Sequence, residues 1–129
     1  MKMPLEYRWL VRNGFRGFHP WELIENARSI YGLRKEYKLE TNDDFYPFAR
    51  RVDCDDVAGF VVKNDTIQKE VMSVHLTFSG KKELPGFPSK SLYENMFDWV
   101  AKVALRDSED WMSEEDLLDI ESFLPSKTS

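Results

Sequence analysis

The 129-residue chain is long enough for one domain that buries its own core without staples. With 42% apolar residues, 14% aromatics and a net charge of −5, it has neither a disordered composition nor that of a basic nucleic-acid binder. A single cysteine, Cys54, excludes an internal disulfide or a zinc ribbon, and no window approaches the ~18 apolar residues of a membrane span.

Taken in chain order, "MPLEYRWLVRNG" predicts a short helix. Pro4 suits its first turn, Leu5, Trp9 and Arg12 follow at helical spacing, and Asn13-Gly14 ends it. "HPWELIENARSIYGLRKEY" predicts a second helix over 19–37, with Trp21, Ile24, Ala27 or Arg28, and Tyr31 about one turn apart. The polar stretch "KLETNDD" then separates helices from strands. "FYPFARRV" is a candidate strand that Pro47 makes irregular or an edge. "DVAGFVV" is nearly all apolar, as a central strand is. "KND" offers a turn, and in "EVMSVHLTF" Met72, Val74, Leu76 and Phe78 alternate with Ser73, His75 and Thr77.

"SGKKELPGFPSK" reads as a loop. "SLYENMFDWVAKVALR" predicts a helix opened by a Ser91–Glu94 capping box, with a wide apolar stripe and an Asp98–Lys102 pair outside it. "SEEDLLDIESFL" predicts a last helix capped by Ser113 and stopped by Pro125. Helices, then strands, then helices point to an α+β domain over 1–129 with a mostly antiparallel or mixed sheet, covered on one face and flanked by helices. Its core spans about 4–106 and is followed by an acidic extension over 107–129.

That extension carries one Lys/Arg against eight Asp/Glu, whereas residues 1–106 carry seventeen against fifteen. An acidic block repels phosphate backbones and attracts a basic partner, speeding its encounter. Asp53, Asp55 and Asp56 around Cys54 form a second acidic group. Their spacing does not follow a calcium loop, so a polar turn between strands is the leading reading, with partner contact and metal or catalytic use behind it. Carboxylate neighbours disfavour a Cys54 thiolate, and neither His19 nor His75 belongs to a spaced ligand set. No nucleophile elbow or glycine-rich phosphate loop occurs in the sequence. Trp9, Trp21 and Trp99 are expected in the core, while Trp111, flanked by acids, is a candidate interface anchor for which packing back onto the sheet is the leading alternative.

The linear pattern resembles the SUKH superfamily, the Smi/Knr-type immunity proteins. "MPLEYRWLVRNG" is similar to the family's "LPxDYRxFLxxxNGG" opening, with Pro4, Tyr7, Arg8, Asn13 and Gly14 in place. "HPWELIENA", "YPFARRVDCDDVAGFVV", "EVMSVHL" and "SLYENMFDWVAKV" resemble its later segments, over roughly residues 4–103. Asp55 stands where the family has Gly, and the second family Asp has no counterpart within "GFVV".

The resemblance implies an α+β fold, no catalysis and no cofactor. It also implies a cytoplasmic protein that neutralises a cognate polymorphic toxin, such as a nuclease, by binding it. The alternative within the same fold is a regulatory or small-molecule-binding module. A metal-dependent enzyme built on Asp53, Asp55 and Asp56 is the third reading. For the lead reading the partner-facing residues are Asp53, Asp55, Asp56, Glu109, Asp110, Trp111, Glu114, Glu115 and Asp116. The expected partner has a basic surface and is neither nucleic acid nor membrane.

Overall fold

In the computed structural model, which describes residues 2–82 and 88–122, helix α1 (Leu5–Arg12) forms where the sequence predicts it. Asn13 and Gly14 end it, Gly14 at φ +94°, where a side chain would be strained. The helix predicted over 19–37 is corrected at both ends. Trp21–Leu23 forms a short strand, β1, paired antiparallel with Ala49–Arg51. Helix α2 runs from Ala27 to Thr41 and absorbs the start of the polar stretch. Asn26 sets its start, its Oδ1 accepting the amides of Arg28 at 2.8 Å and Ser29 at 3.2 Å. Asn42, at φ +65°, ends it. Trp21 and Ile24 mimic one helical face, yet they belong to core clusters on opposite sides of the sheet. Pairing with a distant strand outranks local spacing here.

Strands β2 (Phe45–Arg51), β3 (Asp56–Lys63), β4 (Thr66–His75) and β5 (Ser89–Tyr93) complete a sheet in the order β1-β2-β3-β4-β5, antiparallel throughout. The class is α+β. Asn64 and Asp65, at φ +51° and +60°, make the two-residue turn between β3 and β4, the conformation a twisted hairpin favours. β2 is an interior strand, so the edge expectation for Pro47 is corrected. Its irregularity stands: the register with β3 shifts between Pro47 and Ala49, and β1 reaches only as far as Ala49. β4 starts four residues earlier than predicted and stops at His75, which leaves Phe78 at φ +56° and exposed. The predicted loop over 79–90 gives its end to β5, and residues 83–87 lie outside the described residues.

Both faces of the sheet are covered, a correction to the one-sided expectation. On one face Leu33 and Tyr37 of α2 pack with Phe45, Val57, Met72, Val74 and Leu76. On the other, α1 and the C-terminal helix pack over Phe48, Ala58, Phe60 and Val71. Consecutive residues of β3 feed the two clusters in turn, which is why "DVAGFVV" shows no polar face.

Helix α3 (Met96–Trp99) passes through a π-helical turn (Val100–Ala104) into α4 (Leu105–Trp111), and α5 (Glu114–Ser122) follows. The predicted Ser91–Glu94 capping box is corrected, because Ser91 and Leu92 are strand residues opposite Ser73 and Met72. The cap sits four residues on. Asn95 Oδ1 accepts the amide of Asp98 at 2.9 Å, and Asp98 Oδ2 accepts the amide of Glu94 at 3.0 Å. The π turn shifts the inward face, and so Met96 and Trp99 before it and Val103 and Ala104 at its end all reach the core. The Asp98–Lys102 pair forms as expected, at 2.9 Å. Pro125, the predicted stop, lies outside the described residues.

Gly59 marks a close approach of β3 to its neighbour β2. A Cβ there would stand 2.5 Å from Cδ2 of Phe45 and 2.8 Å from the Tyr46 carbonyl oxygen. Gly59→Ala should therefore cost about 2 kcal/mol of stability through overpacking, read as a lower urea midpoint with an unchanged slope. A neutral result would mean that β2 and β3 are not packed in this register.

Candidate functional site

The acidic bend of residues 52–55 joins β2 to β3, and Arg51, the last residue of β2, organises it. Its guanidinium holds Asp53 with two bonds, Nε to Oδ1 at 2.8 Å and Nη2 to Oδ2 at 3.0 Å. Its Nη1 donates to Oδ2 of Asp107 at 3.1 Å, and the same oxygen accepts the indole N–H of Trp21 at 2.8 Å. One arginine thus stitches the bend to the start of α4 across 56 residues of sequence. The bond to Arg51 holds the Asp53 carboxyl below its usual range, and the bond to Asp53 raises Arg51.

The other carboxylates divide by environment. Asp56 lies opposite His75 across β3 and β4, with His75 Nδ1 2.6 Å from Asp56 Oδ1. Asp55 is exposed and has no partner among the described residues. Glu109, Asp110, Glu114 and Glu115 are exposed. Asp116 is half-buried and returns to its cap: Ser113 Oγ donates to its Oδ2 at 2.7 Å and accepts its amide at 3.0 Å. The bend and the start of α4 are thus brought together through Arg51 and Asp107, while Asp55 on the bend, Glu109 and Asp110 on α4, and Glu114 and Glu115 on α5 are each exposed.

Trp111 does not stand out as an anchor. Its ring meets His19 edge-on at 5.5 Å, and its indole nitrogen is buried without a partner among the described residues. Trp21 and Trp99 are core as expected, but Trp9 is 62% exposed beside Leu5 on α1. The expectation of a buried Trp9 is corrected: α1 has two apolar stripes, and Tyr7 and Leu10 are the ones that face the core. Sequence spacing suits either stripe.

Chemically, the bend is poorly suited to metal or covalent work. Among the described residues no group of three His, Cys, Asp or Glu side chains could hold a metal ion. Burial pushes the Cys54 thiol up, and the charges of Asp56 and Asp53 push it further, against a thiolate. Asp56, His75 and Ser89 do face one another in a row across β3, β4 and β5. Among the described residues, however, no hydrogen bond joins Ser89 to the imidazole. Among the described residues no helix is long and apolar enough to cross a membrane.

Three features escaped the sequence reading. Arg51 and Asp107 gave no signal, since nothing in local spacing pairs residues that far apart. Glu40, fully buried, looks in sequence like any polar residue near a helix end. An open groove of about 590 Å³ runs between α2 and β2, lined by Ile30, Tyr31, Leu39 and Tyr46 with Lys35 and Lys38 beside them. Comparison of the chain with protein-family models, curated proteins and solved structures finds no match in any of the three.

Proposed function

We propose that this chain is a SUKH-type immunity protein that binds and neutralises a cognate toxin with a basic surface, and that it catalyses nothing itself. The sequence resemblance supports the family. The observation that supports the mode of action is the Arg51 node, which ties the acidic bend to the start of acidic α4. Because Arg51 answers only Asp53 and Asp107, Asp55, Glu109 and Asp110 keep their charge directed at solvent. A fixed negative field of this kind speeds encounter with a basic groove and can occupy it in place of a nucleic acid.

The test is co-expression with the product of the gene adjacent to this one, which the proposal expects to be a toxin, followed by binding kinetics on the purified pair. The wild type should restore growth. Reversing Asp55, Glu109, Asp110 and Glu115 to Lys should slow association about 100-fold and flatten its salt dependence, with the thermal melt unchanged. An unaltered rate and salt dependence would remove the electrostatic mode of action.

A second reading, a regulatory or small-molecule-binding module, is favoured by the groove between α2 and β2, whose apolar lining beside Lys35 and Lys38 suits an amphipathic anion.

A further inference from the structure

Helix α5 poses a physical problem. It is nine residues long and buries none of them, whereas isolated helices shorter than about 12–15 residues are marginal in water. Leu117 is 49% and Leu118 66% exposed. Glu114, Leu117, Leu118 and Glu121 fall at i, i+3, i+4 and i+7, an apolar pair bracketed by two carboxylates on one stripe. Such a stripe is stable against a surface that offers an apolar patch bracketed by cations.

Helix α1 offers a stripe of related composition, in which Arg8 and Arg12 flank Trp9 and Leu5 stands outside them. Leu5, Arg8, Trp9 and Arg12 stand at the same i, i+3, i+4 and i+7 spacing, and all four are exposed. The opposite stripe of α1, with Tyr7 and Leu10, is committed to the core. The two helices are nearly equal in length, eight and nine residues. Laid antiparallel, they set Trp9 against Leu117 and Arg12 against Glu114, with Arg8 opposite Leu118 and about 4.5 Å along the axis from Glu121, which faces Leu5. A tryptophan covers about 150–250 Å² when buried, and Trp with flanking Arg is the composition of an interface centre. Within one chain the apolar residues of both stripes are exposed, which leaves them available to a second copy.

We propose that α5 of one copy docks on α1 of a second copy, and reciprocally, to close a two-fold dimer. Long-range charge favours the same arrangement, since residues 107–129 carry one Lys/Arg against eight Asp/Glu and the rest of the chain is slightly basic. Asp55, Glu109, Asp110, Glu115 and Asp119 lie on neither stripe, and of the residues assigned to the toxin contact only Glu114 lies on one. Dimerisation therefore stands or falls apart from the toxin reading.

The test is sedimentation velocity of the full chain across the micromolar range at low and high salt. A monomer–dimer equilibrium that weakens with salt is expected. Arg8→Glu with Arg12→Glu should weaken it at least about tenfold, and Glu114→Arg with Glu121→Arg should do the same. Mixing these two variants should restore dimers, because each then meets a complementary stripe on the other. Circular dichroism of each variant shows whether it folds, and Trp9→Ser offers an uncharged second disruption. A monomer at every concentration, including one in which α5 folds back on its own α1, overturns the proposal. So does a dimer indifferent to both reversals, or a mixture that stays monomeric.

Discussion

Trp99→Ala should destabilise the protein by about 4 kcal/mol, the upper range for loss of a large buried aromatic. Trp99 is 1% exposed and lies at the meeting point of the C-terminal helix and the sheet. Its ring stands edge-on to Trp21 at 5.1 Å and to Phe48 at 5.2 Å, and Phe48 stacks on Phe60 at 4.6 Å. Its indole N–H points to Ser73 Oγ at 3.4 Å, a long contact that adds little. The loss is therefore one of packing and dispersion, and the surrounding rings, held by strands on one side and by the π turn on the other, cannot collapse to fill the space.

Domain stabilities of about 5–15 kcal/mol leave little margin for such a loss. Urea denaturation measures it. Trp99→Phe should recover more than half of the stability by keeping the edge-on contacts, whereas a cost below about 1 kcal/mol for alanine would show that this face is not close-packed. The consequence reaches the acidic bend, because the helix that Trp99 anchors carries Asp107 to Arg51.

Glu40→Ala is the second large effect, at about 3 kcal/mol. Glu40 is 0% exposed, yet it is fully occupied. Its Oε1 accepts the Thr77 amide at 2.9 Å and the Thr77 hydroxyl at 2.7 Å, and its Oε2 accepts the Phe78 amide at 3.1 Å. Next to it Glu36 Oε2 accepts the Gly80 amide at 2.9 Å. The two glutamates thereby clamp the chain that leaves β4, where Phe78 and Gly80 both have positive φ. Removing the Glu40 carboxylate strands the amides of Thr77 and Phe78 without their acceptor.

The two acids are pushed in opposite directions, which favours one proton on the pair between them. Burial pushes Glu40 up, but the bonds from Glu36, the Thr77 hydroxyl and the two amides outweigh it and hold Glu40 below its ordinary 4.5. Glu36 is raised above 4.5, chiefly by its bond to Glu40 and then by burial. Because Glu40 is depressed, its contribution is present above 4.5 and is lost as pH falls through its folded value. Because Glu36 is raised, its contribution is present below 4.5 and is lost as pH rises through its folded value.

The clamp is thus firmest between the two folded values, where the pair holds one proton. Glu36→Gln keeps a donor for Glu40 and should abolish the decline on the alkaline side while leaving the acid limb. Stability curves from urea titrations across the acidic range decide this. A Glu36→Gln variant with the wild-type pH profile would show that Glu36 does not contribute the alkaline limb.

Much of the fold was legible because its signals are local. Asn13-Gly14, Asn64-Asp65 and Ser113 act on backbone groups within a few residues, and they end α1, turn β3 into β4 and start α5 wherever the chain goes next. The alternation in β4 and the unbroken apolar run of β3 likewise report burial residue by residue. Misreadings arose where a partner distant in sequence decided the outcome. Trp21–Leu23 had helical spacing and became a strand because Ala49–Arg51 offered an edge, and Ser91 ceased to be a cap because Ser73 paired with it.

The candidate site divides in the same way. Composition alone established that the bend and the C-terminal segment are acidic, because charge is carried by residue identity and survives any fold. The identity of the open and the neutralised carboxylates was set by tertiary structure. Arg51 took Asp53 and Asp107, Ser113 took Asp116, His19 covered Trp111, and Trp9 was left outside. The physical reason is range: a turn or cap acts over a few bonds, whereas burial and ion pairing depend on which distant strand or helix arrives alongside.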